Sequence, residues 1–259
     1  MENLQLLIGE HTILIQTNSQ MVLQFYKKLY QIDPEPRTPD ILIKVEEGFG
    51  VPFVDYNVDI IESGTQLIFR RADYEIKINN DYTEASIAVY DDFALKHAMI
   101  NLYSSYIVHH GWGVLIHSSC IIDQDKAHLF AGHSGAGKST VAMLSSPRVL
   151  LSDEATLLKI TENEVLVYDS PFRSDVEEKD LVRPHQLSSI QLLHQALQND
   201  RVLIKKSDGL FLLMDKVFYW SHHPIETKKI FHLLKTLVDI VPMYELHFQK
   251  NNTFWELIS

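Results

Sequence analysis

Up to about residue 90, apolar residues recur at every second position in the segments 12–16, 41–45, 66–70 and 86–90. That period is what a half-buried strand presents, because successive side chains leave a strand on opposite faces. These segments are expected to be short strands, and antiparallel ones. Between the first two, residues 20–31 repeat at helical period. The turn-rich stretch Asp33-Pro34-Glu35-Pro36-Arg37-Thr38-Pro39 follows and is expected to be an extended linker, because proline disfavours helix both at its own position and at the one before it. Asp91-Asp92 offers a cap to a second helix over 93–109, with Leu95, Met99, Leu102 and Tyr106 along one stripe and Gly111 past its end. A boundary is expected at the start of this helix, dividing the chain into a strand-rich N-terminal domain, 1–91, and a second domain, 92–259.

From Trp112 onward the apolar segments crowd together: 113–117, 119–122, 127–131, 149–151, 156–160 and 165–168. The pattern predicts only a short helix after residue 137, because Pro147 stops it. Closely spaced strands with few helices between them predict a mixed sheet rather than repeated βαβ units, within an α/β (α+β) fold class. The last third carries helical stripes over 208–220 and 225–240 and an alternating segment, 244–248, expected as a closing strand.

Composition narrows the function classes. The 259 residues include 34 acidic and 23 basic side chains, for a net charge of −11, so the molecule as a whole repels a nucleic-acid backbone. The single cysteine, Cys120, excludes an internal disulfide, and its neighbours Ile121 and Ile122 predict a buried thiol. Neither a basic segment leading into an apolar one at the N-terminus nor a run of eighteen apolar residues occurs, so the chain is expected to be cytoplasmic and to have no membrane partner.

The densest chemical signal is Gly132-His133-Ser134-Gly135-Ala136-Gly137-Lys138-Ser139-Thr140, which satisfies G-x-x-x-x-G-K-[ST] directly after the apolar segment 127–131. In such a P-loop the glycines turn backbone N–H groups toward phosphate oxygens, the lysine reaches the outer phosphates, and the hydroxyl after it holds Mg²⁺. ATP and Mg²⁺ are therefore the expected cofactors. Gly132, Ser134, Gly135, Ala136, Gly137, Lys138, Ser139 and Thr140 are the expected binding residues.

Fourteen residues beyond Ser139 an apolar segment ends in Asp153-Glu154. A second acidic group meets Mg²⁺ at such a strand end in many P-loop enzymes. One of the two carboxylates can hold metal with Ser139 while the other accepts a proton, provided the chain turns there. His117, closing Val114-Leu115-Ile116, is a third candidate; taken alone, a histidine ending a strand is more often structural. Arg173 can clamp a phosphate or a peptide carboxylate with its planar fork, or be an ordinary surface arginine. Arg201, Lys205 and Lys206 form a small basic group, readable either as a peptide-attracting patch or as a solvated face.

The order of these motifs, Ile116-His117-Ser118-Ser119, then the P-loop, then Leu151-Ser152-Asp153-Glu154, resembles HPr kinase/phosphorylase and its relatives. The resemblance covers about 112–160. It implies a P-loop core like that of phosphoenolpyruvate carboxykinase, with Asp153 as base toward a serine hydroxyl and His117 assisting it. The second acidic residue of that family is usually aspartate, whereas here it is Glu154. The glycine-rich signature E-[IV]-x-G-x-G of true HPr kinases is absent, which weakens the case for HPr as substrate. The layout is similar to the shorter HPr-kinase-like enzymes associated with lasso peptides, which implies ATP-dependent phosphorylation of the C-terminal serine of a precursor peptide. The expected partner is thus a peptide or small protein bearing a serine hydroxyl, and a homo-oligomer is left open. The rival expectations are a kinase for HPr or a small hydroxyl metabolite, and a non-catalytic, nucleotide-dependent peptide-binding module.

Overall fold

The computed structural model describes residues 1–33, 35–173, 183–220 and 223–259. Pro34 of the expected linker and Ser174, the residue after Arg173, lie outside the described residues. The chain divides into two compact units, Met1–His109 and His110–Ser259.

In the first unit, β1 (Glu2–Ile8) and β2 (His11–Thr17) form an antiparallel hairpin. Helix α1 (Gln20–Leu29) starts at Ser19, whose hydroxyl accepts the Val22 N–H. After the two-residue β3 (Gln31–Ile32) come β4 (Ile41–Glu47), β5 (Asp59–Ser63), β6 (Gln66–Arg71), β7 (Tyr74–Asn79) and β8 (Glu84–Val89). They make one eight-stranded sheet in the order β3-β1-β2-β4-β8-β7-β6-β5. The expectation of antiparallel strands fails at its centre, where β4 lies parallel to both β2 and β8. The crossover from β2 to β4 runs through α1 and that from β4 to β8 through β5, β6 and β7, which gives each pair the long connection that parallel neighbours need.

Helix α2 (Asp92–His109) packs against β7 and β8 and touches α1. It is apolar nearly all round: Ala94, Leu95, Ala98, Met99, Leu102 and Ile107 are each at most 1% exposed. A helix of that kind belongs inside a unit rather than on its surface. The division between the units therefore falls at the far end of this helix, not at the start expected from the sequence.

The second unit begins with β9 (Gly113–Asp123), an unbroken strand where the sequence suggested two. It is followed by β10 (Lys126–Ala131), α3 (Lys138–Leu144), β11 (Val149–Ser152), β12 (Ala155–Ile160), β13 (Val165–Tyr168), β14 (His185–Gln195) and β15 (Asp200–Leu203). Then come α4 (Lys206–Met214), α5 (Pro224–Ile240), β16 (Met243–Phe248) and a closing 3-10 helix, Asn252–Leu257. The sheet follows the path β10-β9-β12-β13-β14-β16-β15, with β11 also on β9 and β10 also on β14. Pairing is parallel for β10–β14 and β14–β16 and antiparallel elsewhere. The fold is therefore mixed α/β, strand-rich, with both sheets of mixed orientation.

Helix α3 is as short as Pro147 implied, and a seven-residue helix holds its shape only through packing. Val141 supplies that packing, within a buried cluster of Ile121, Phe130, Leu193, Leu246, Phe248 and Trp255. Helix α4 ends at Met214, short of the expected 220, because the chain beyond it becomes extended and pairs with β9.

Candidate functional site

Strand β9 is the floor of the site, and the chain breaks on both of its flanks at the same level. On one flank β10 pairs with β9 as far as Ala131 opposite Ser118, and then leaves at Gly132. Its place is taken by the stretch after α4: the His117 N–H donates to the Lys216 carbonyl at 2.7 Å, and the Phe218 N–H donates to the Leu115 carbonyl at 3.0 Å. On the other flank β12 pairs up to Ala155 opposite His117, and β11 resumes with Ser152 opposite Cys120. Asp153 and Glu154 occupy the turn between these strands, where the Glu154 carbonyl accepts the Ser118 N–H at 3.1 Å. The turn is what two adjacent carboxylates need in order to serve one site from neighbouring positions. Strand register thus brings Gly132, His117, Asp153 and Glu154 to one level, across three elements that lie far apart in sequence.

Below the turn, buried hydroxyls tie the flanks together. Ser118 Oγ donates to Thr156 Oγ1 at 2.7 Å, and Ser152 Oγ lies 2.5 Å from the same oxygen. All three residues are fully buried, so each polar atom needs such a partner.

The loop itself is held in shape from several directions. Gly135 and Gly137 adopt φ of 80° and 110°, which side chains rarely tolerate. A Cβ on Gly137 would also stand 2.6 Å from Phe248 Cζ. The Gly135 carbonyl accepts Gln195 Nε2 at 2.9 Å, anchoring the loop to the end of β14. Lys138 is 9% exposed and folds over the loop, its Nζ donating to the Gly132 carbonyl at 3.0 Å and to the His133 carbonyl at 3.3 Å. His133 is exposed, with Nδ1 2.7 Å from the Ser134 carbonyl. Ser134 and Ser139 are exposed, Ala136 is buried, and Thr140 is half-buried in the first turn of α3.

Electrostatics join these parts. Burial holds the His117 imidazole below its ordinary pKa; Lys138 and Lys216 act in the same direction, and Glu154 opposes them. The Lys138 ammonium is likewise lowered, first by burial and then by Lys216. His117 therefore feels the motif lysine, the acidic turn and a second lysine at once. At neutral pH its ring is uncharged and available to accept or donate a hydrogen bond.

Two expectations meet a different environment. Arg173 is ion-paired with Asp169 and its Nε donates to the Ser170 carbonyl at 3.0 Å, so its fork is engaged within its own loop. Its neighbour Phe172 does approach the site, its carbonyl accepting the Ala155 N–H at 3.3 Å. The basic group 201–206 is dispersed: Arg201 stacks 3.6 Å over Tyr244 and donates to Gln191 and the Leu257 carbonyl, while Lys206 bonds to Asp239. Cys120 is buried as expected, and burial pushes its thiol pKa up, out of the reactive range.

No protein-family model matches the chain, and no curated protein matches it. The site must therefore be read from its own chemistry. Ser139 with Asp153 or Glu154 is a set of hard oxygen donors, suited to Mg²⁺, which typically takes one or two carboxylates and completes its shell with phosphate oxygens and water. Among the described residues there is no group of three or more His, Cys, Asp or Glu side chains of the kind a metal held by protein alone would use. Sequence reasoning missed Lys216 and Gln195. Lys216 was hidden inside an expected helix, and Gln195 ends a strand whose polar residues masked it.

Proposed function

We propose that the second unit is an ATP-dependent kinase that transfers the γ-phosphate to a serine hydroxyl, on a core of the HPr kinase and phosphoenolpyruvate carboxykinase type. The observation that carries this reading is the convergence on β9 of the start of the P-loop, His117 and the Asp153–Glu154 turn. A binding module needs the loop; it does not need a carboxylate turn and a neutral imidazole at the level where the loop begins.

Phosphoryl transfer has a loose transition state, so the protein's work is alignment and charge neutralisation rather than covalent chemistry. Lys138 moves from the loop carbonyls to the outer phosphates when they supply better acceptors. Ser139 with Glu154 or Asp153 would hold Mg²⁺, which neutralises charge on the phosphate oxygens when bound. Asp153 accepts the serine proton late in transfer, when the hydroxyl has become acidic, and His117 orients that carboxylate.

The resemblance of the chain's layout to the lasso-associated enzymes favours a peptide acceptor, the C-terminal serine of a lasso-type precursor, over HPr, whose kinases carry a glycine-rich signature that this chain lacks. Incubation with Mg-ATP and a peptide ending in serine should phosphorylate that serine, and Lys138→Ala should reduce labelling at least a hundredfold. Equal labelling by wild type and variant would refute the reading, and a panel containing HPr and small hydroxyl compounds separates the alternative acceptors.

A further inference from the structure

Lys216 lies outside the P-loop motif and outside every group singled out from the sequence. Its position is fixed by backbone pairing: Val217 bridges Ile116, and the Lys216 carbonyl accepts the His117 N–H at 2.7 Å. Because β10 occupies the same flank of β9 as far as Ala131 opposite Ser118, Lys216 stands where β10 would continue, beside the start of the P-loop. Phe218 holds the stretch from the other side, its ring centroid 5.6 Å from that of His117.

The Lys216 side chain is only 15% exposed, with Nζ 2.5 Å from Asp215 Oδ2, whose own side chain is 68% exposed. Its charge acts on both His117 and Lys138. Two ammonium groups that act on one another in a partly desolvated site repel, and a bound anion bearing more than one charge relieves that repulsion. Lys138 comes from the inner side of the loop, and Lys216 from the β10 flank of β9 beside His117, across the strand from the acidic turn. An anion spanning the two has its inner phosphates on the loop and its outer end toward β9.

We infer that Lys216 is a second phosphate-binding cation, which takes the terminal phosphate of a bound nucleoside triphosphate and exchanges Asp215 for it. This rests on the reading of 132–140 as a nucleotide site. It goes beyond that reading by giving the site a residue that distinguishes a triphosphate from a diphosphate: the loop and Lys138 hold the phosphates common to both, whereas Lys216 finds its partner only in the third.

The test is calorimetric titration of the full chain with Mg-AMPPNP and, separately, with Mg-ADP, needing no knowledge of the acceptor. Lys216→Gln should weaken AMPPNP about tenfold, the size of one charge-assisted hydrogen bond, while changing ADP affinity less than twofold. Lys216→Arg should recover most of the AMPPNP affinity. Asp215→Asn, which removes the competing carboxylate and keeps the lysine, should bind AMPPNP at least as tightly as wild type. Equal losses for both nucleotides in Lys216→Gln, or the same loss in Asp215→Asn, would mark a structural role and overturn the assignment. Unchanged AMPPNP affinity in Lys216→Gln would overturn it as well, leaving the nucleotide site intact. A wild-type protein that binds neither nucleotide would overturn the nucleotide site itself.

Discussion

At the scale of single residues, two separate demands fall on Gly137 within the loop. Its φ of 110° and the approach of the Phe248 ring leave no room for a side chain. Gly137→Ala should strain the loop by about 2 kcal/mol and weaken nucleotide binding at least tenfold by calorimetry. Glycine at this position is thus required twice, once by backbone angle and once by space; only the first requirement could be foreseen from the motif.

His128 makes the other residue-scale prediction. It is buried, with Nδ1 2.9 Å from Ser189 Oγ, and burial depresses its pKa to about 4. The folded state therefore binds the proton less readily than the unfolded chain. Stability is fully present above the ordinary histidine range near 6.5 and is lost as pH falls from there toward 4, by about 3 kcal/mol across the window. Urea midpoints followed by tryptophan fluorescence should fall between pH 7 and pH 4.5, and less steeply in His128→Gln. All three tryptophans, Trp112, Trp220 and Trp255, lie in the second unit, so the signal reports that unit.

At the scale of elements, what the sequence disclosed followed burial. Residues 12–16, 41–45 and 66–70 fall inside strands and 225–240 inside a helix, because their apolar and polar side chains point opposite ways, whereas 93–109 is marked as a helix by its cap and its long apolar run. Strand β14 was not legible. Its inward positions include Ser189 and Gln191, buried polar residues satisfied by one another, by His128 and by Arg201, so its apolar pattern is broken where the strand is most enclosed. The extended stretch after α4 was hidden for the opposite reason. Leu210, Leu213 and Val217 continue a helical spacing, and only pairing with β9, invisible in one dimension, overrides it. The loop, His117 and the acidic turn were legible as motifs; that they share one level of β9 was not.

Helix α3 shows how a remote element supports the site. The 3-10 helix at the C-terminus sets Trp255 against α3, its Nε1 donating to Ser145 Oγ at 3.0 Å, with the Arg148 guanidinium 4.2 Å from its ring. Trp255→Ala should cost about 3 kcal/mol in urea unfolding followed by circular dichroism, and should also weaken nucleotide binding, because the indole is part of the buried cluster on which α3 rests. A loss of stability with nucleotide affinity unchanged would show that the loop does not depend on this packing.

At the scale of the whole molecule, the chain forms two compact units. The first is a sheet covered by α1 and α2. The second carries every residue assigned to nucleotide or metal. Among the described residues no helix is long and apolar enough to cross a membrane. The net charge of −11 disfavours a polyanionic partner, so the proposed nucleotide would have to be held by local donors, for which the loop, Lys138 and Lys216 are the candidates.

The central claim is that the terminal phosphate at the 132–140 loop faces the carboxylate of Asp153. It is tested most directly by the transfer of labelled γ-phosphate from Mg-ATP to a serine-terminated peptide, at saturating nucleotide, by wild type and by Asp153→Asn. The account predicts a labelled serine with wild type and a rate at least a hundredfold lower with the variant, at an ATP affinity close to wild type. Transfer at the same rate by both proteins would contradict it.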